Sequence, residues 1–190
     1  MNIYCMRHGR TNYNDLGLCN DDPSRNVHLT KEGIAQAEEA ALALRDVAFD
    51  RMIVSPLPRT RQTAEIINRY HAVPIVVDAG LADIRSGFDG KPVRDYFAAI
   101  ADDPLRMRMN GGESLLDHKQ RVLRFIDWLK KQQDKTPLIV AHEETMRVFT
   151  AYFEGGVEDR QLRGIHVRNC EFKHYFLNGY LRGVNDCGQL

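Results

Sequence analysis

The sequence predicts an α/β fold, a three-layer α/β/α sandwich with a mostly parallel central sheet. Short apolar runs at 3–6, 52–55, 75–77 and 138–141 are brief and rich in aliphatic residues. Such runs are the signature of strands buried on both faces. Between them lie segments whose apolar residues recur every three or four positions, as in amphipathic helices. Strands alternating with helices call for a layered sandwich in which helices cover both faces of the sheet.

The elements follow in order. Ile3-Tyr4-Cys5-Met6 forms the first strand, and residues 9–28, rich in Asn, Asp and Gly, form a polar loop. Thr30 is placed to cap a helix in which Ile34, Ala37, Ala41, Leu44 and Ala48 make one apolar face. Met52-Ile53-Val54-Ser55 is the second strand. The helix after it runs from about Pro58 to Tyr70, with its prolines near the start, where proline is tolerated. Ile75-Val76-Val77 is a third strand. Residues 80–92 carry loop chemistry, and a short helix over 93–101 ends before Pro104. Ser114 and Asp117 resemble a capping box for a helix to about Gln133 that buries Leu115, Val122, Ile126 and Leu129. Strand 138–141, His142 and a helix over 144–154 come next, and a strand near 172–177 closes the sheet at its edge.

The length of 190 residues suits one domain, 1–190, with a sizeable core. Basic and acidic residues balance at 26 each, so no basic excess points to nucleic acid or an anionic membrane. No apolar stretch is long enough to span a bilayer. No apolar signal core precedes Arg7, so a cytoplasmic location without export is expected. Cys5, Cys19, Cys170 and Cys187 lack C-x-x-C spacing and read as reduced thiols. No Cys or His pair has metal-ligand spacing, so neither metal nor cofactor is expected.

Four segments carry candidate chemistry. Arg7-His8-Gly9-Arg10-Thr11 follows the first strand: His8 offers an imidazole nucleophile, Arg7 a planar fork for phosphate oxygens, and Gly9 room for a sharp turn. Ligands in open α/β sheets bind beyond the carboxyl ends of strands, where His142 also falls. Arg59 lies at a strand end and a helix amino terminus, both favourable to an anion. Asp83, in Leu81-Ala82-Asp83-Ile84-Arg85, could protonate a leaving oxygen and then activate water. Each has a plainer alternative when read alone: a surface histidine, a basic first turn of an exposed helix, a structural histidine after a buried strand, and an acidic loop residue.

Together, the order and context of these segments resemble the histidine phosphatase superfamily, in its phosphoglycerate mutase-like branch. The resemblance runs from residue 3 to about 150. It rests on Arg7-His8-Gly9 with Thr11 and Asn14, on Leu29-Thr30…Gly33…Gln36-Ala37, and on Ser55-Pro56-Leu57…Arg59…Gln62-Thr63-Ala64. Gly111-Gly112-Glu113-Ser114 and Val140-Ala141-His142 complete it.

The resemblance implies a phosphoglycerate mutase-like fold in which His8 becomes phosphorylated and Arg7, Arg59 and His142 complete the phosphate-binding core. It places Thr11 and Asn14 in the same pocket and puts Asp83 where the family usually has a glutamate acting as general acid and base. Asp89 and Glu113 are the alternative acids. Three departures stand out. Arg10 replaces an acidic residue or glutamine and adds positive charge at the pocket mouth. Glu143 replaces a common glycine, aimed at the phosphate or away from it. Phe88 stands in for a tryptophan often found in 80–90.

The expected activity is metal-independent hydrolysis of small-molecule phosphomonoesters through a phosphohistidine. The alternatives are mutase-type phosphoryl transfer or a non-catalytic phosphate-binding module. Hydrolysis is preferred because only the segment 84–110 lies between Asp83 and Gly111-Gly112 and the tail is short, which leaves the pocket open to water. Segments 12–28 and 84–110 are the expected specificity walls. Arg85, Lys91, Arg94, Arg106 and Arg108 read either as a site for a second anionic group or as solvated surface charge. The edge strand near 172–177 could pair with a second copy to form a homodimer.

Overall fold

Strict two-residue alternation along the inner strands sorts their side chains onto two faces, and the rest of the fold follows from it. In the computed structural model, which describes residues 1–177, five strands form one sheet in the order β3-β2-β4-β1-β5. They are β1 (Asn2–Arg7), β2 (Arg51–Val54), β3 (Ile75–Val77), β4 (Pro137–Ala141) and β5 (Phe172–Phe176). Only β5 runs antiparallel, paired with β1 at the edge predicted for it. The helices are α1 (Asn12–Leu16), α2 (Lys31–Leu44), α3 (Pro58–Ile67), α4 (Val93–Ala99), α5 (Leu115–Leu129) and α6 (Glu143–Glu154).

Ile3, Cys5, Ile53, Ile139 and Ala141 point to one face, where they pack against Val122, Phe125 and Ile126 of α5 and Met146 and Phe149 of α6. Met6, Met52, Val54, Leu138 and Val140 point to the other, against Ala37, Ala41 and Leu44 of α2 and Ala64 and Ile67 of α3. The predicted sandwich is therefore present. β1 and β4 lie side by side in parallel near its centre, with Arg7 paired to Ala141, so their carboxyl ends emerge together.

Four local expectations need correction. Loop 9–28 contains α1: Thr11 accepts from Asn14 N while the Asn14 side chain accepts from Thr11 N, a reciprocal cap hidden in a polar run. Ile34 is 40% exposed, Ala48 lies beyond the end of α2, and the buried stripe is Gly33, Ala37, Ala40, Ala41 and Leu44. The stripe turns this way because Gly33, not Ile34, meets the first-strand loop. The helix from Pro58 ends at Ile67 and gives way to a single 3-10 turn over 68–70, and α5 stops at Leu129. Cys5, Cys19 and Cys170 are free thiols, while Cys187 lies outside the described residues. No helix among the described residues is long and apolar enough to cross a membrane.

Gly33 and Gly9 bring two backbones into direct contact. A Cβ on Gly33 would lie 2.0 Å from the Arg10 carbonyl oxygen, and one on Gly9 would lie 2.6 Å from that of Gly33. Neither neighbour is a side chain that can swing away. Gly33→Ala is expected to cost about 2–3 kcal/mol, the upper range for overpacking, and to lower the melting temperature by roughly 4–10 °C. Thermal unfolding followed by circular dichroism checks this; an unchanged transition would mean that the contact is not tight.

Candidate active site

The site is built where β1 and β4 end. The N–H of His8 donates to Ala141 O at 3.0 Å, extending the parallel ladder by one step, and the chain then turns at Gly9. The Nδ1–H of His8 donates to Gly9 O at 2.7 Å. A carbonyl only accepts, so this bond fixes the tautomer and leaves the lone pair on Nε2. Arg59, in the first turn of α3, donates its Nε to that Nε2 at 3.0 Å. Thr63, one turn on, accepts from Gly9 N at 3.1 Å and donates to Arg59 O at 2.8 Å, tying the two segments together. Burial, with Arg59, His142 and Arg7 close by, holds the pKa of His8 well below the ordinary imidazole value.

His142 caps α6 from the end of β4 and is fully buried. Its ring centroid is 5.3 Å from that of His8. Its Nε2 meets Ser55 Oγ at 2.7 Å. The carboxylate neighbour of Nδ1, Asp83 Oδ2, favours the tautomer with the proton on Nδ1, in which Nε2 accepts from the Ser55 hydroxyl. That Nδ1 has no hydrogen-bond partner among the described residues and lies 3.5 Å from Asp83 Oδ2. Burial, then Arg59, also depresses the pKa of His142.

Asp83 reaches the same point. Its Oδ2 accepts from Arg59 Nη2 at 2.9 Å. One carboxylate oxygen thus sits within reach of both Arg59 and His142, at the position where those two groups would hold an oxyanion. Arg59 also donates to the side-chain and backbone oxygens of Asn20. Arg7 donates to Val167 O at 2.6 Å and pairs with Glu143 Oε2 at 3.0 Å. Burial lowers the pKa of both arginines, opposed by these carboxylates.

Arg7, His8, Thr11, Asn14, Arg59, Asp83 and Glu143, all singled out from sequence, line one cavity of about 240 Å³. His142 lies just beneath its floor, against His8. Thr11 and Asn14 commit their side-chain oxygens to the cap of α1, so what they can offer a ligand is the Thr11 hydroxyl proton and the Asn14 amide nitrogen.

Several expectations about charge are corrected by the geometry. Asp89 is away from the cavity; it accepts from the backbone of Asp21 and Asp22 and pairs with Arg25, pinning the loop that carries Asn20. Glu113 is buried and locked to Arg121 through two hydrogen bonds, at 2.9 and 2.7 Å. Burial works against its carboxylate, but Arg121 prevails and holds its pKa below the ordinary value. Arg10 turns outward to Asp15 and Glu32 rather than to the pocket mouth. Of the two readings of the basic residues in 84–110, solvated charge fits four: Arg94, Arg106 and Arg108 pair at the surface with Asp95, Asp103 and Asp117, exposed Arg85 reaches the buried Glu113, and none of the four lines the cavity. Phe88 packs on Tyr96 behind the wall.

Sequence reasoning missed three contributors. Arg121 donates to the carbonyl oxygens of Gly80, Ala82 and Asp83 and so clamps the loop that presents Asp83. His118, fully buried, accepts from Arg121 through Nδ1 at 2.9 Å, and burial and Arg121 lower its pKa to about 4. Arg147, one helical turn after Glu143, pairs with it at 2.8 Å, the i,i+4 spacing expected of such pairs.

A family model for the histidine phosphatase superfamily (branch 1) matches residues 3–180. The chain is 28% identical over 195 residues to a Bacillus subtilis protein named uncharacterized phosphatase PhoE, covering 96% of this chain and 98% of that one. It is 28% identical over 179 residues to an Erwinia tasmaniensis protein named probable phosphoglycerate mutase GpmB, covering 90% of this chain and 82% of that one. Among solved structures, the alpha-ribazole phosphatase of Shigella flexneri superposes with a TM-score of 0.84 at 26% identity, covering 94% of this chain and 91% of that one.

Proposed function

Since the chain belongs to the histidine phosphatase superfamily, branch 1, we propose that it hydrolyses small-molecule phosphomonoesters through a phosphohistidine formed on His8. One observation carries this reading. His8 is held as the tautomer with its lone pair on Nε2, by a 2.7 Å bond from Nδ1 to Gly9 O, with Arg59 at that Nε2 and the ring of His142 alongside. A lone pair presented next to cations, on a ring kept neutral, is what attack on a phosphoryl dianion requires.

The steps follow from the contacts. The phosphate dianion takes the place of the Asp83 carboxylate on Arg59 and receives the Nδ1–H of His142, with Arg7 as a further cation. Asp83, displaced but tethered, turns to the bridging oxygen. Arg59 Nε turns from His8 Nε2 to a phosphate oxygen, and the lone pair so freed forms the N–P bond as the P–O bond to the alcohol breaks, while Asp83, protonated from solvent once it has left Arg59 and His142, gives that proton to the departing oxygen. Water then attacks phosphorus, the N–P bond breaks with its electron pair returning to Nε2, and the Asp83 carboxylate takes the proton from water. The charge that develops is met by guanidinium groups and an imidazole N–H. This reading gives no step to a metal.

The cavity wall supports hydrolysis over mutase-type transfer. Of the segment 84–110, only Ile84, Ser86, Val93, Tyr96 and Phe97 line the cavity, and its arginines face outward. The test pairs two measurements on the purified protein: phosphate release from phenyl phosphate and interconversion of 2- and 3-phosphoglycerate. Steady phosphate release that outpaces isomerisation is expected. Faster isomerisation would replace this reading with a mutase, and neither activity would leave a phosphate-binding module.

A further inference from the structure

The hydrolytic reading, on which this inference rests, defines the phosphate half of the substrate and says nothing of the alcohol half. The wall beyond the phosphate-binding groups does. Tyr13, Leu18, Val27, Val93, Tyr96 and Phe97 give it an aromatic and aliphatic surface. Beside Arg7, two consecutive carboxylates open α6, and both Glu143 and Glu144 line the cavity.

These carboxylates engage every cation on their side. Glu143 bridges Arg7 at 3.0 Å and Arg147 at 2.8 Å. Glu144 Oε1 accepts from Arg147 at 3.0 Å and from Arg163 at 3.2 Å. Arg147 Nε is bound to Ile165 O at 2.8 Å, so each arm of that guanidinium already has an acceptor. Arg163 also donates to the Tyr96 hydroxyl at 2.9 Å. No arginine on this wall is left to receive a second anion from the substrate. Glu144 Oε2, by contrast, is a buried carboxylate oxygen with no donor among the described residues. An unmatched acceptor of this kind is costly until a ligand or water supplies a proton.

We propose that Glu143 and Glu144 set the substrate class, admitting monoesters whose alcohol is flat, apolar in body and neutral or cationic, and rejecting alcohols that carry a second anionic group. A carboxylate or second phosphate on the alcohol would find the guanidinium groups of this wall, Arg7, Arg147 and Arg163, already neutralised by Glu143 and Glu144, and would have to displace one of those carboxylates to be bound. A hydroxyl or ammonium would instead lie against the carboxylates as a donor, without displacing a cation, and the ring would lie among Tyr13, Tyr96 and Phe97.

Three phosphate esters of similar shape separate charge from size: phenyl phosphate, 4-carboxyphenyl phosphate and 4-(2-aminoethyl)phenyl phosphate. For the unmodified protein, kcat/KM for the carboxylate ester is expected to fall at least about tenfold below that of phenyl phosphate, with the ammonium ester equal to or above it. In Glu143→Gln and Glu144→Gln, the ratio of carboxylate ester to phenyl phosphate is expected to rise at least about fivefold. Equal kcat/KM for the first two esters in the unmodified protein would overturn the proposal, whether or not the variants fold. A ratio unmoved in both folded variants would overturn it equally. Phosphate release from none of the three would overturn the hydrolytic reading, and this one with it.

Discussion

Replacing His8 by alanine is expected to lower phosphate release from phenyl phosphate by at least about 10⁴-fold, the scale on which loss of a covalent nucleophile acts. No other group can substitute at the attacking position. His142 is buried with its Nε2 engaged by Ser55, and the arginines carry no lone pair. The fold should survive, since His8 contributes no apolar packing to either core cluster and its main-chain bond to Ala141 is retained. Phosphate release and circular dichroism on the same preparation check both halves. A folded variant that keeps a tenth of the activity would remove His8 as the nucleophile. The depressed pKa of His8 gives the same experiment a pH arm in the unmodified protein. The neutral, competent ring exists above that pKa and is lost as the pH falls through it. Activity should therefore persist into acid solution below the ordinary imidazole value, with no inhibitory limb centred there.

Asp83→Asn is expected to act in proportion to how badly the leaving group needs a proton. With phenyl phosphate the loss should be about 10²–10⁴-fold, the usual range for a general acid. With 2,4-dinitrophenyl phosphate, whose phenolate departs unaided, formation of the phosphohistidine should be nearly unaffected. The water step, deprived of its base, would then become limiting, so a burst of dinitrophenolate followed by slow turnover is the expected trace. Rapid-mixing absorbance measures both phases. Equal losses for the two esters would mean that Asp83 serves only to place charge on Arg59. The Arg59–Asp83 contact at 2.9 Å makes that a real alternative, and the leaving-group comparison separates the two.

Much of the site was legible because strand ends announce themselves in sequence. Two apolar runs, each leading to a histidine, and an arginine opening a helix after a third pointed to one cleft, and the family resemblance of their order brought His8, Arg59 and His142 together. Asp83 was legible only through resemblance, since nothing local distinguishes it from any acidic loop residue. What escaped was pairing between distant charges. Arg10, Arg85 and Arg108 looked available on sequence, but the fold supplies each with a carboxylate partner. Arg121 and Arg147 belong to no motif that marks them in the sequence, yet they hold the Asp83 loop and the cavity wall. Ile34 failed for a related reason. Hydrophobicity predicted it to be inside, but the close approach of Arg10 to Gly33 sets the rotation of α2, and a residue without a side chain leaves no trace in an apolar pattern.

The carboxylate of Asp83 resting on Arg59 and His142 also bears on how a catalytic cycle ends. Once Asp83 has passed to solvent the proton it took from water, inorganic phosphate is challenged for its own cradle by a carboxylate that cannot diffuse away, at the high effective concentration of any intramolecular partner. A vacated site of this design refills itself from within. It should be a poor sponge for the free phosphate of its surroundings, so turnover can continue while product accumulates.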